Sequence, residues 1–297
     1  MKTMRLPLLI ALGVAIIGVI CGSFFDLQIS SAIASPTNAF ALTVSAICPT
    51  FGFMPVAMMG GGFIALILKG KHSIPLKVLF CVLALGCIGV SIYYPGGEYF
   101  GINGFKDATP EWIGYLIVLI PEGLACFFGY YLFKDIKNDK IWILYVIVIA
   151  MLIIALLGII TVVKDTMHRP RYRLLSTTEL VGFHNWWERC VAYSDLKDLF
   201  PHDDFKSFPS GHTAETSIFL VGMTFFPLID KKYSKFQLPL FIIGCCLVLF
   251  VAFARILAAA HFLSDVSMGA TIMIGLLAIT NEIVIRIKLL HPEEAKE

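Results

Sequence analysis

Three short segments hold residues that together could handle an anion. They are Lys164-Asp165-Thr166-Met167-His168-Arg169-Pro170-Arg171, then Pro209-Ser210-Gly211-His212, then Arg255 with His261 and Asp265. A transferring phosphoryl group spreads negative charge over three equatorial oxygens, and preplaced cations stabilise that charge without reorganising. Lys164, Arg171 and Arg255 are such cations, and Arg can bind oxygens two at a time. Ser210 is a good helix N-cap and Gly211 lets backbone approach a ligand. The first N–H groups of the helix that follows point toward an anion, with His212 at its mouth. His261 and Asp265 share a face if helical. The carboxylate can then accept the Nδ1–H of His261, leaving Nε2 free to attack phosphorus. Each segment alone has a plainer explanation: a snorkelling cation, an ordinary cap, a structural hydrogen bond. Their joint occurrence favours a site that holds and cleaves a phosphate ester.

The elements that must position them are apolar. The 297 residues are 58% hydrophobic and 15% charged, with mean hydropathy +0.83, against roughly 25% charged in an ordinary soluble domain. A formal charge of +2 gives no support to a nucleic-acid partner. The eight Cys show no CxxC pair and no metal-ligand spacing, so neither a disulfide framework nor a metal site is indicated. Cys190, in a polar loop, reads as a plain free thiol. A spanning helix needs roughly 20 apolar residues, and runs at 6–25, 47–68, 76–95, 113–133, 141–163, 213–229, 238–257 and 263–286 meet or approach that length. The expectation is an all-α polytopic membrane bundle of about eight spans.

Loop charge orients it. Lys69, Lys71 and Lys77, then Lys134, Lys137 and Lys140, then Lys231, Lys232 and Lys235, then Arg286 and Lys288 follow alternate spans, while Asp26, then Glu98, Lys106, Asp107 and Glu111 fall between. By the positive-inside rule both termini are cytoplasmic. The segment 164–212 breaks the pattern: it belongs outside yet opens with Lys164, Arg169, Arg171 and Arg173, which an anionic ligand explains. Span parity places all three motifs on that outer face. The stretch 26–46 reads as a short interfacial helix or a surface loop, and 164–212 as too short for an independent core.

The motifs resemble those of the type-2 phosphatidic acid phosphatase family, the lipid phosphate phosphatases. The family pattern is Lys-x6-Arg-Pro, Pro-Ser-Gly-His, and Ser-Arg-x5-His-x3-Asp. This chain has Lys164-x6-Arg171, Pro209-Ser210-Gly211-His212 and Arg255-x5-His261-x3-Asp265. The likeness covers roughly residues 140 to 287. Tyr172 stands where the pattern has proline, and Ala254 where it has serine. The resemblance implies a helical bundle related to vanadium haloperoxidases, with His261 as nucleophile, Asp265 as its orienting partner and His212 as general acid and then base. Lys164, Arg171, Arg255, Ser210 and Gly211 would hold the phosphate. It implies no metal and no other cofactor. Residues 113–287 form the expected phosphatase core of a single membrane domain spanning 1–297, and 1–112 hold spans whose role the motifs leave open.

Other residues invite smaller readings. Glu122 lies mid-span and is expected to make a buried hydrogen bond. Glu215, three residues after His212, either tunes that histidine or lines the site. His168 and Arg169 occupy variable positions of the first motif. Trp186 and Trp187 mark where the outer loop meets the membrane interface. The functional expectation is a membrane phosphatase acting on a lipid phosphate or lipid pyrophosphate, such as phosphatidic acid, phosphatidylglycerophosphate or undecaprenyl pyrophosphate, at the outer face of a bacterial plasma membrane. The alternatives are an anion-binding transporter or channel without turnover, and a phosphatase of soluble esters.

Overall fold

Long runs of Leu, Ile, Val and Phe can satisfy their backbone within lipid only as helices. The computed structural model describes residues 4–100, 112–136, 141–226 and 231–287. The long helices are α1 (Arg5–Ile33), α2 (Ala39–Leu68), α3 (Ile74–Phe100), α4 (Trp112–Phe133) and α5 (Ile141–Ile153). A π-helical stretch, Ile154–Thr161, carries α5 into α6 (Val162–Met167). After the short turns α7 (Tyr172–Leu175) and α8 (Tyr193–Leu196) come α9 (Gly211–Phe225), α10 (Gln237–Leu257) and α11 (Leu263–Arg286).

Seven stretches of helix among the described residues are long and apolar enough to cross a membrane. They correspond to seven of the eight expected runs. The eighth, over 213–229, yields α9, whose 15 residues extend about 22 Å at 1.5 Å per residue; residues 227–230 lie outside the described ones. The stretch 26–46 is neither an interfacial helix nor a surface loop. α1 continues to Ile33 and α2 starts at Ala39, because the polar residues of that stretch face inward: Asp26, Ser30 and Ser45 are buried.

The helices turn apolar faces outward and small or polar faces inward. On α1, Leu6, Leu9, Ile17, Ile20 and Phe24 are exposed, whereas Leu8, Ala15, Val19, Gly22, Asp26 and Ser30 are buried. Helix association in lipid depends on close backbone approach at small residues, and α1 follows that rule.

Two compact units emerge. The first comprises the chain up to Ser45, Met151–Ser217 and Cys245–Ala278. It contains every residue of the three motifs. Its segment between α6 and α9 has a small core of its own: Leu174, Val181, Cys190 and Phe205 are buried, with Leu175, Tyr193, Leu196 and Phe200 packed against them. That core was not expected of so short a loop, and it explains the burial of the Cys190 thiol.

The second unit comprises Ala46–Ala150, Ile218–Gly244 and the chain from Ile279. Tyr145 anchors it, with Phe63 and Phe133 edge-on at 5.2 Å between ring centroids. At Gly61 a Cβ would fall 1.9 Å from the Cys126 carbonyl oxygen, so α2 and α4 meet backbone to backbone. Glu122 is buried on α4. The expected hydrogen bond is not there: neither carboxyl oxygen has a partner among the described residues.

Candidate active site

The residues reach one place because backbone hydrogen bonds sew the segments together. Arg171 N–H donates to the Asp204 carbonyl at 2.8 Å, and Arg173 N–H to the Ala259 carbonyl at 2.9 Å. Ser207 N–H donates to the Arg169 carbonyl at 3.0 Å, and Ser210 N–H to the Asp265 carbonyl at 2.9 Å. The π-helical winding just before Lys164 also matters. Each of its residues turns the chain less than an α-helical residue does, so Lys164 faces a direction that a straight α-helix would not give it. In the turn before α11, Ala259 adopts a left-handed φ of 56°, and the Arg255 carbonyl accepts the Ala260 and His261 N–H groups. Arg255 and His261 are thereby fixed one turn apart.

His261 is 1% exposed. Its Nδ1 lies 2.6 Å from the Ser207 carbonyl oxygen. A carbonyl only accepts, so Nδ1 carries the proton and Nε2 presents its lone pair. This corrects the sequence expectation. Asp265 Oδ2 is 3.8 Å from Nδ1, too far for a hydrogen bond. Nor does the pair share a helical face, since α11 begins only at Leu263. Asp265 instead accepts from the Ser207 hydroxyl at 2.5 Å and the Phe262 N–H at 2.8 Å through Oδ2, and from Arg169 through Oδ1. It acts on the histidine through Ser207.

Around Nε2 stand the cations. Arg171 NH1 is 3.4 Å from it and donates to the Ala260 carbonyl at 3.2 Å. Arg171 is held from the other side by Asp203: Nε donates to the Asp203 carbonyl and NH2 to Oδ1, both at 2.8 Å. Burial, and then the charges of Arg171, Arg255 and Lys164, hold the His261 imidazole well below its ordinary pKa. His261 is therefore neutral at physiological pH, the form that can act as a nucleophile.

The second motif closes the site. Ser210 is buried and its Oγ accepts the Thr213 N–H at 3.4 Å and the Thr213 hydroxyl at 3.1 Å, as expected of an N-cap. A Cβ added at Gly211 would stand 3.3 Å from Lys164 Nζ and 3.6 Å from Glu215 Oε1, so Lys164 and Glu215 both border Gly211 and Glu215 lines the site. His212 is nearly buried and feels the charges of Arg255, His261, Lys164 and Arg171. All eight residues singled out in the motifs thus gather in one unit. Tyr172 uses its ring to pack edge-on to Phe262, centroids 6.1 Å apart. Ala254 is fully buried.

Trp186 is held by contacts within the unit: Nε1 donates to Ser23 Oγ at 2.8 Å and the ring stacks on Phe208. Sequence reasoning also missed Asp26, Arg169, Ser207 and Ser264, which form the support beneath Asp265. Only the Gly18-Gly22-Asp26 spacing on one face of α1 could have pointed to them. Among the described residues no group of three or more His, Cys, Asp or Glu is gathered to hold a metal ion.

The helices define an integral membrane protein, and its buried histidine among cations can receive an anion. The profile of the PAP2 superfamily matches residues 140–288. The chain belongs to that superfamily, as its three motifs led us to expect, and this membership supports a membrane phosphatase. No curated protein and no solved structure gives a significant match.

Proposed function

We propose that this protein hydrolyses a lipid phosphate or lipid pyrophosphate by a phosphohistidine route, without a metal. The observation that carries the proposal is the neutral His261, its Nδ1–H held by the Ser207 carbonyl and its Nε2 facing Arg171. Nε2 attacks phosphorus and the bond to the leaving oxygen breaks, while His212, which takes up a proton once the anionic phosphate is bound among the cations, protonates that oxygen. Water then attacks phosphorus, the phosphorus–nitrogen bond breaks, His212 takes the proton of that water, and inorganic phosphate leaves with His261 regenerated. Lys164, Arg171, Arg255, Ser210 and the Gly211 backbone hold the equatorial oxygens throughout. Asp265 keeps Ser207, and through it His261, in place.

The same reading puts the site on the outer face of a bacterial plasma membrane, in an eight-span chain with both termini cytoplasmic. Lysine-rich loops after alternate spans support it, as does the gathering of all three motifs in one unit. In that topology α9 is the sixth of eight crossings, residues 113–287 are the catalytic core, and lipid reaches the site from the bilayer.

The test is phosphate release by the purified protein from phosphatidic acid, a polyprenyl diphosphate and a soluble sugar phosphate. Turnover of a lipid substrate, and its loss by at least about 1,000-fold in His261→Ala, is expected. A His261→Ala enzyme with full activity refutes the mechanism. Anion flux without turnover of any ester makes the protein a transporter.

A further inference from the structure

α1 lies outside the segment that matches the superfamily, yet it carries a carboxylate to the foot of the nucleophile's turn. Asp26 is 2% exposed. Its Oδ1 accepts the Ser264 N–H at 2.9 Å, and its Oδ2 accepts the Ser264 hydroxyl and Arg169 NH2, the latter at 2.9 Å. Arg169, equally buried, continues the chain. NH1 donates to Ser264 Oγ at 2.8 Å and to Asp265 Oδ1, and Nε donates to the His184 carbonyl at 2.9 Å. Its guanidinium lies over the Phe262 ring, 4.4 Å from the centroid. The path runs Asp26, Arg169, Asp265, Ser207, and ends on His261 Nδ1.

The packing of α1 is shaped for this contact. Gly18, Gly22 and Asp26 are spaced by four and share a helix face. A Cβ at Gly22 would fall 2.5 Å from Ser264 N and 2.7 Å from Asp26 Oδ1, and one at Gly18 would fall 2.3 Å from Ser267 Oγ. Only glycines let α1 come close enough for a side chain as short as Asp to reach the first turn of α11.

We infer that Asp26 is a positioning residue for the reaction: through Arg169 and Ser264 it fixes Asp265 and the turn bearing His261, and so aims Nε2, without touching the phosphate. The inference rests on His261 being the nucleophile. It makes α1 part of the catalytic unit rather than an accessory span.

The test uses the full-length protein in detergent. Asp26→Asn, Asp26→Glu, Arg169→Gln, the Asp26→Asn/Arg169→Gln pair and Gly22→Ala are compared with the wild type. Gly13→Ala is the control, because a Cβ there meets nothing within 4 Å. Two readouts are taken: kcat and KM on phosphatidic acid, and the affinity for orthovanadate, a phosphate mimic that needs no turnover. Residues supporting a catalytic group typically contribute about 10- to 100-fold. Asp26→Asn should lower kcat by about 30-fold with KM within about threefold, weaken vanadate by about tenfold, and Asp26→Glu should recover part of both. The double variant should be no worse than the worse single, because the two residues act as a unit. Gly22→Ala should resemble Asp26→Asn without loss of charge, and Gly13→Ala should match the wild type. Losses confined to KM, losses that multiply in the double variant, or wild-type kcat per folded molecule in all variants overturn the inference. A wild type that binds vanadate but cleaves no ester, with vanadate weakened by Asp26→Asn, refutes the phosphatase reading and leaves the positioning role standing. A wild type that does neither overturns both.

Discussion

Gly269 offers a sharp test of how tightly the site is built. This glycine of α11 faces the second residue of the second motif, and a Cβ built on it would lie 2.4 Å from the Ser210 carbonyl oxygen. An ordinary carbon–oxygen contact is about 3.4 Å, so Gly269→Ala must displace Ser210, and with it Gly211 and His212, by roughly 1 Å; a misplacement of that size costs on the order of 100-fold in rate. Overpacking should also lower stability by about 1–3 kcal/mol. No charged or transferring group is removed, so any loss reports geometry alone. The assay is kcat/KM for phosphate release, with a thermal melt to count folded molecules. Gly275→Ala on the same helix is the matched comparison, because its Cβ would meet only Leu12 Cδ1 at 3.9 Å. That variant should keep wild-type activity. If Gly269→Ala retains activity within about threefold, the second motif is not held where the structure puts it, and the argument from close approach fails.

Other outcomes follow from the same geometry. His261 must be neutral to attack, and its folded pKa is lowered. The acid limb of kcat/KM should therefore lie below the ordinary histidine value of about 6.5; a limb above that value refutes the proposed microenvironment. The same sign holds for stability: the unfolded chain binds the proton more readily, so any contribution from this histidine is present above about pH 6.5 and is lost as pH falls toward the folded value. Ser207→Ala removes the hydroxyl that Asp265 grips but keeps the carbonyl on Nδ1, so kcat should fall by about 10- to 100-fold, within the 1.5–3 kcal/mol of a charge-assisted hydrogen bond. A Ser207→Ala enzyme as impaired as His261→Ala would mean that the tautomer depends on Asp265 directly. Exhaustive treatment with a chelator should leave turnover unchanged, and activity restored only by added divalent ions would refute a metal-free mechanism.

The spans and the three motifs could be read in the sequence because each is a local property. An apolar run declares its helix, and Lys164-x6-Arg171 or Pro209-Ser210-Gly211-His212 carries its chemistry within a few residues. The support beneath them could not be read in the same way. Asp26 meets Ser264 across 238 positions, and at the end of an apolar run its charge looked like a loop marker. Ser207 acts through a carbonyl, a group that every residue has. Arg169 sat among other basic residues in the first motif, and nothing in its spacing singled it out. The π-helical winding before Lys164 left no mark among its apolar neighbours. The continuation of α1 through Asp26 and Ser30 was hidden because inward-facing polar residues in a membrane helix read as an end of the span.

The reach of Asp26 also sets an order on how the molecule is made. The carboxylate leaves the ribosome well before Ser264, which follows 238 residues later. At about 5–20 residues per second this leaves roughly 12–48 s in which α1 is already made and the partner of its buried carboxylate is not. The nascent chain must carry that carboxylate hydrated, protonated or sheltered by the insertion machinery until α11 arrives. The proposed site is thus completed in one late event, when α11 docks on α1, and a chain stalled before that point holds the first two motifs without the turn that carries His261 and Asp265.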